Sequence, residues 1–158
     1  MYRLVVFAVL LSLVCARAEI LAGADLSIVP RLEQARVVYF DNGQPREALS
    51  IFHDHNYRIV RLRLWHTPAE PWHGLDSVLA FAQRVKNAGF EFLLDLHYSD
   101  TWADPAQQTK PAAWQGLTFP VLVDSVYAYT NSVIRRFRDG DALPEYVQIG
   151  NEISAGML

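Results

Sequence analysis

One cysteine, Cys15, is all that the 158 residues contain, so no disulfide within the chain can brace the fold and stability has to come from a packed core. There is no surplus of positive charge either. Fourteen Lys and Arg stand against 17 Asp and Glu, a net of −3, which offers no electrostatic footing for nucleic acid or anionic lipid. Glycine and proline number eight each and fall singly at joints between periodic segments, with no short repeat and no low-complexity linker. No glycine-rich phosphate loop follows the first strand, which removes the usual support for nucleotide binding. What is abundant is apolar and aromatic. At 51% hydrophobic, with four Trp and seven Tyr, the chain is too apolar for disorder and long enough to bury one core.

The amino terminus reads as a targeting segment. Arg3 precedes an apolar run from Leu4 to Val14, then Ala16-Arg17-Ala18. That run has 11 residues, short of the roughly 20 a bilayer-spanning helix needs, and the small-x-small triplet suits cleavage after Ala18. Ser12-Leu13-Val14 before Cys15 match a lipoprotein signal poorly, so ordinary cleavage ranks ahead of lipidation. The expectation is a signal peptide over 1–18 and a secreted chain, extracellular or periplasmic, over 19–158. It would carry 12 basic and 17 acidic residues, a net of −5, and no cysteine.

Periodicity sets out the remainder. Gly23-Ala24-Asp25 suits a short strand. Asp41-Asn42-Gly43-Gln44-Pro45 reads as a turn opening a helix from about Arg46 to Asp54, with Leu49, Ile51 and Phe52 inward. From Tyr57 to Trp65 the residues alternate: Val60, Leu62 and Leu64 on one face, Ile59, Arg61, Arg63 and Trp65 on the other. Leu75, Val78, Leu79, Ala82, Val85 and Ala88 recur at helical spacing, with Gly89 placed to end the helix. Phe90 to Leu96 is nearly continuous apolar sequence, as in a strand buried on both faces. After a polar and aromatic loop over 101–116, a second long helix is expected from Thr118, a candidate cap, with Pro120 in its first turn. Val121, Leu122, Ser125, Val126, Tyr129, Val133 and Phe137 would face inward, and Arg135, Arg136 and Arg138 would favour its end. Tyr146 to Ile149 makes a last strand, stopping at Gly150-Asn151-Glu152.

Strand–helix alternation predicts an α/β fold built from parallel βα units, either a doubly wound sheet or a closed barrel. Trp65, His97, Asp100 and Glu152 all fall at carboxyl ends of predicted strands, which is where barrels keep their chemistry. A (β/α)8 barrel takes about 250 residues, so four βα units amount to its amino-terminal half.

Cleaving a glycosidic bond calls for two carboxyl groups, one donating a proton to the leaving oxygen. Glu152 follows an apolar strand, where partial burial would raise its pKa and keep the proton in place. Asn151 beside it could hydrogen-bond a sugar hydroxyl. A bare Asn-Glu dipeptide is weak evidence, and residue types alone favour the bland reading, a capping or loop glutamate.

Gly23-Ala24-Asp25-Leu26-Ser27, Asp41-Asn42-Gly43 and Val60-Arg61-Leu62-Arg63-Leu64-Trp65 resemble the opening of the family 53 glycoside hydrolases, the endo-β-1,4-galactanases. The stretch Leu94-Asp95-Leu96-His97-Tyr98-Ser99-Asp100-Thr101-Trp102-Ala103-Asp104-Pro105, with Gln108-Thr109-Lys110-Pro111-Ala112-Ala113-Trp114, resembles that family's third strand and loop, and 147–158 its fourth strand. This resemblance implies a (β/α)8 TIM barrel and retaining hydrolysis of β-1,4-galactan or arabinogalactan; no cofactor is expected, and no metal ligands among these residues. It places Glu152 on the general acid/base and Asn151 beside it, with Arg61 orienting a catalytic carboxylate. The nucleophilic Glu would come from a seventh strand beyond these residues, so the 158 residues alone are expected to be inactive. The complete protein would be a monomer whose partner is the polysaccharide, with no nucleic acid and no membrane contact after signal cleavage.

Other candidates keep two readings each. Arg61 and Arg63 share a strand face and could simply pair with buried carboxylates such as Asp25 or Asp95; Arg61 is favoured as active-site support. His97 could bind substrate, orient Glu152 or be structural. Asp100, Trp102 and Asp104 lie in the loop after the strand; Trp102, like Trp65 and Trp114, could stack on a sugar or anchor a loop. Two rival functions differ in class. A metal hydrolase would draw on His53, His55 and His66, but His53 and His55 lie two apart on a helix and face different ways. A noncatalytic carbohydrate-binding relative would keep the fold without the glutamates.

Overall fold

The structure, a computed structural model, describes residues 20–158; the expected signal segment over 1–18 lies outside them. Four parallel strands form one sheet: β1 (Gly23–Asp25), β4 (Ile59–Leu64), β5 (Glu91–Leu96) and β6 (Tyr146–Ile149). Their spatial order is their chain order. Every new strand joins the same growing edge, whereas a doubly wound sheet reverses direction at a switch point. This is the arrangement of part of a (β/α)8 barrel.

Register explains the two faces. Val60, Leu62 and Leu64 pair with Phe92, Leu94 and Leu96, and all six are essentially inaccessible to solvent. They pack under three helices, α2 (Ala48–Asp54), α3 (Leu75–Asn87) and α4 (Phe119–Asp139), whose Leu49, Val78, Leu79, Ala82, Val85, Val133 and Phe137 complete the core. The opposite parity carries the polar set. Asp25 pairs with Arg61, Arg63 with Asp95, and Asp95 with Gln148, so charged side chains from three neighbouring strands and an amide from the fourth share the face that a barrel turns inward.

α3 ends as its pattern predicts. Gly89 adopts φ 86°, the Gly89 N–H donates to the Lys86 carbonyl and the Phe90 N–H to that of Val85, a pair of bonds that closes a helix through a left-handed residue. α4 departs in two details. Thr118 occupies the cap position but its side chain makes no capping bond, and Val121 is 48% exposed rather than inward.

The segment before α2 differs more. Residues 41–45 do turn, but as the tip of a hairpin between β2 (Tyr39–Asp41) and β3 (Gln44–Arg46), and the helix starts at Ala48, not Arg46. Asn42 and Gly43 both have positive φ, 49° and 75°, the two-residue turn that suits the twist of a tight hairpin. Strands of three residues are too short to reveal alternation. A six-residue helix, α1 (Val29–Gln34), was likewise below the length at which periodicity shows.

Candidate active site

The inward face converges on Arg61. Its Nη1 donates to Asp25 Oδ2 at 2.5 Å, and its Nη2 to Asp95 Oδ2 at 2.5 Å and to Asn151 Oδ1 at 2.7 Å; its Nε reaches Gln148 Oε1 at 3.3 Å. One guanidinium therefore ties all four parallel strands together near their carboxyl ends. Arg63 Nε lies 3.3 Å from Asp25 Oδ2, so two arginines face two aspartates and the cluster is neutral as a whole. Asp95 is fully buried, an environment where such a charge survives only when paired.

Burial is the largest influence on Asp25 and pushes its pKa up, but hydrogen bonds from the Ser27 hydroxyl and N–H, with Arg63 and Arg61, outweigh it and hold the carboxyl below the ordinary range. Ser27 also accepts from the Arg63 N–H. It thereby clips β1 to β4.

His97, buried at the end of β5, is set by its two neighbours. The Ala103 N–H donates to its Nδ1 at 3.2 Å, so that nitrogen carries no proton and Nε2 is the ring's donor. Nε2 lies 2.8 Å from Asp95 Oδ2, at ion-pair distance without hydrogen-bond alignment. The ring thus braces Asp95 and the following loop.

The Ala103 carbonyl accepts from Asn151 Nδ2 at 2.7 Å. Asn151 is 4% exposed; its Oδ1 is occupied by Arg61 and Gln148, while one amide hydrogen stays uncommitted. Glu152 turns the other way. It adopts a left-handed backbone, φ 51° and ψ 44°, a conformation that costs a non-glycine residue about 1–3 kcal/mol and that clusters at functional sites. Its side chain is exposed, contrary to the expected partial burial, because β6 is the sheet edge among the described residues and nothing stands on its far side.

Of the other sequence candidates, Trp102 joins this site. It is 40% exposed, with the Arg63 guanidinium 5.0 Å from its ring centroid and the His97 ring 5.4 Å away edge-on. Trp65 lies 4.3 Å from the His73 ring and 6.2 Å from that of His97. Asp100 and Asp104 do not converge on Arg61. Asp100 accepts the Thr67 N–H and the Ala112 N–H on its two oxygens, pinning two loops. Asp104 accepts the Ala106 N–H in its own turn. Trp114 is buried against His66, Tyr98 and Tyr129, a loop anchor rather than a platform. His53 and His55 are exposed at the end of α2. No group of three or more potential metal-ligating side chains occurs among the described residues.

Gln148, Ser27, Gln108 and His73 escaped the sequence reading. Inward parity in β6 was a usable signal for Gln148; Ser27 and Gln108 come from loops and His73 from a three-residue 3-10 turn, where no periodicity operates. Burial first, then the Arg63 charge, with Arg31 adding to them against the opposing pull of Asp25, brings the His73 pKa down to about 4. An unfolded histidine titrates at about 6.5 and so binds more protons than the folded one between those values. Stability from this group is therefore present above about pH 6.5 and lost as pH falls toward about 4. His73→Phe is expected to flatten the acid-side fall of the thermal midpoint across that window; parallel curves for variant and parent would remove the linkage.

A family model described as Glycosyl hydrolase family 53 matches residues 21–158. A probable arabinogalactan endo-β-1,4-galactanase A of Aspergillus terreus is 44% identical over 137 residues, covering 86% of this chain and 39% of that protein. The arabinogalactan endo-β-1,4-galactanase of Cellvibrio japonicus is 38% identical over 138 residues, 86% of this chain and 37% of its own. A solved fungal β-1,4-galactanase superposes with a TM-score of 0.85 at 39% identity, covering 89% of this chain and 42% of that one. The chain spans about two fifths of the length of the relatives it matches.

Proposed function

Because the chain belongs to glycosyl hydrolase family 53, we propose that the complete protein cleaves β-1,4-galactosidic bonds within galactan or arabinogalactan, with retention at the anomeric carbon and Glu152 as acid/base. One observation carries this reading. At the strand ends a buried Asn151, braced on its Oδ1 and by one amide hydrogen, is followed directly by an exposed Glu152 held in a left-handed backbone.

The Glu152 carboxyl protonates the glycosidic oxygen as the C1–O bond breaks, while a carboxylate of a second glutamate attacks C1 from the opposite face. The leaving sugar departs neutral. The Glu152 carboxylate then takes a proton from the water that attacks C1, freeing the second glutamate and restoring the acid, so the net change is addition of one water. Retention places the two carboxyls about 5 to 5.5 Å apart. In a complete barrel, further strands would cover the sheet edge at β6 and close the site around Glu152. The free amide hydrogen of Asn151 serves a sugar hydroxyl, and the open face of Trp102 serves a sugar ring. Secretion after removal of 1–18 and action as a monomer belong to the same proposal.

The protein at the relatives' length, given β-1,4-galactan, is expected to lower its viscosity quickly and to release β-configured reducing ends first. The 158 residues alone, lacking the second carboxyl, are expected to cut nothing. Proton NMR of early products and viscometry check both, and products of α configuration would overturn retention.

A further inference from the structure

Gln108 holds the backbone from which Glu152 projects. Its amide nitrogen donates one hydrogen to the Asp104 carbonyl at 3.0 Å and the other to the Asn151 carbonyl at 2.8 Å. Both donors are used, so the side chain is a fixed strap between the loop after β5 and the end of β6. The carbonyl it grips is not any carbonyl. Asn151 C=O and Glu152 N–H belong to one rigid peptide plane, and the tilt of that plane sets the φ of Glu152, the left-handed 51°. An ordinary residue leaves that region readily unless its surroundings hold it.

The other bonds at Asn151 do not perform this task. Arg61, Gln148 and the Ala103 carbonyl all engage its side chain, which fixes the residue but leaves the following peptide free to tip. Gly150 on the other side donates its N–H to the Leu96 carbonyl and accepts Gln148 Nε2 on its own carbonyl at 3.0 Å, bonds that hold that residue but do not reach the Asn151–Glu152 peptide. Among the described residues, Gln108 is the side chain that bonds this peptide.

We infer that Gln108 is a positioning residue for the proton donor, acting through the Asn151–Glu152 peptide and not through contact with the sugar. This rests on Glu152 being the acid. A misplaced acid costs rate only where the leaving group needs a proton. A sugar alcohol needs one; dinitrophenolate does not.

The experiment compares kcat/KM of the complete enzyme on β-1,4-galactotetraose and on a dinitrophenyl β-1,4-galactobioside. The ratio of the two is independent of how much of a variant is folded. Gln108→Met keeps length and removes both donors. Its ratio is expected to fall about tenfold, through the galactotetraose arm. An unchanged ratio, whether both arms drop together or neither does, would overturn the inference and return Gln108 to loop or substrate binding. Glu152→Gln is measured alongside: it should collapse the ratio by at least about 100-fold. If it does not, the acid assignment itself has failed, and that outcome is distinct from a failure of Gln108→Met alone.

Discussion

Glu152→Gln in the complete enzyme is expected to lower kcat on galactan by at least about 100-fold, the usual contribution of a positioned general acid. The substitution keeps the shape of the side chain and removes the transferable proton. Because the side chain is exposed and makes no hydrogen bond in the structure, folding should shift by no more than about 0.5 kcal/mol. Loss of turnover together with an unchanged melting curve is therefore the expected pair of results. Near-normal turnover would take Glu152 out of the acid/base role.

Arg61→Met is expected to have the largest effect on stability, about 3–5 kcal/mol. The reason is not the strength of the pairs but what is left behind. Asp95, with no solvent access, would keep only the poorly aligned His97 Nε2, and Asn151 Oδ1 would lose its 2.7 Å donor. Asp25 would suffer less, since Ser27 and Arg63 still face it. Adding Asp95→Leu should recover part of the loss, because an apolar pair in place of a buried ion pair is often neutral. Urea midpoints at unchanged slope would measure both steps. If the single variant costs under about 1 kcal/mol, the cluster is not the clamp its geometry describes. Activity should be lost in both variants, since Asn151 is braced through the same guanidinium.

The fold was largely legible because βα units announce themselves locally. Alternation over Ile59–Leu64 places Val60, Leu62 and Leu64 where the structure buries them, and helical spacing does the same for Val78, Leu79, Ala82 and Val85 while passing over the buried Phe81. The β2–β3 hairpin and α1 were not legible: three to six residues contain less than one full cycle of any useful pattern. At the site, Arg61 carried two readings, substrate-side support and partner of a buried carboxylate, and the structure shows that it pairs with both Asp25 and Asp95 while also bracing Asn151. Asp100 looked like a cleft residue by its position after β5, yet two backbone N–H groups from separate loops absorb its charge. Such bonds join residues 12 and 33 positions away, and no local rule reports them.

Sequence by itself determined which residues lie on the parallel strands, which side of the longer ones is polar, and that Asn151-Glu152 closes the last one. Those properties follow from side-chain parity and spacing along a single segment. Only the tertiary structure decided that Arg61 is the common partner of four strands, that Ala103 and Gln108 tie the loop to Asn151, and that Glu152 takes a left-handed turn out of the cluster. Each of these depends on groups brought together from up to 90 residues apart, and the energy that selects them exists only once the sheet has assembled and removed the charges from water.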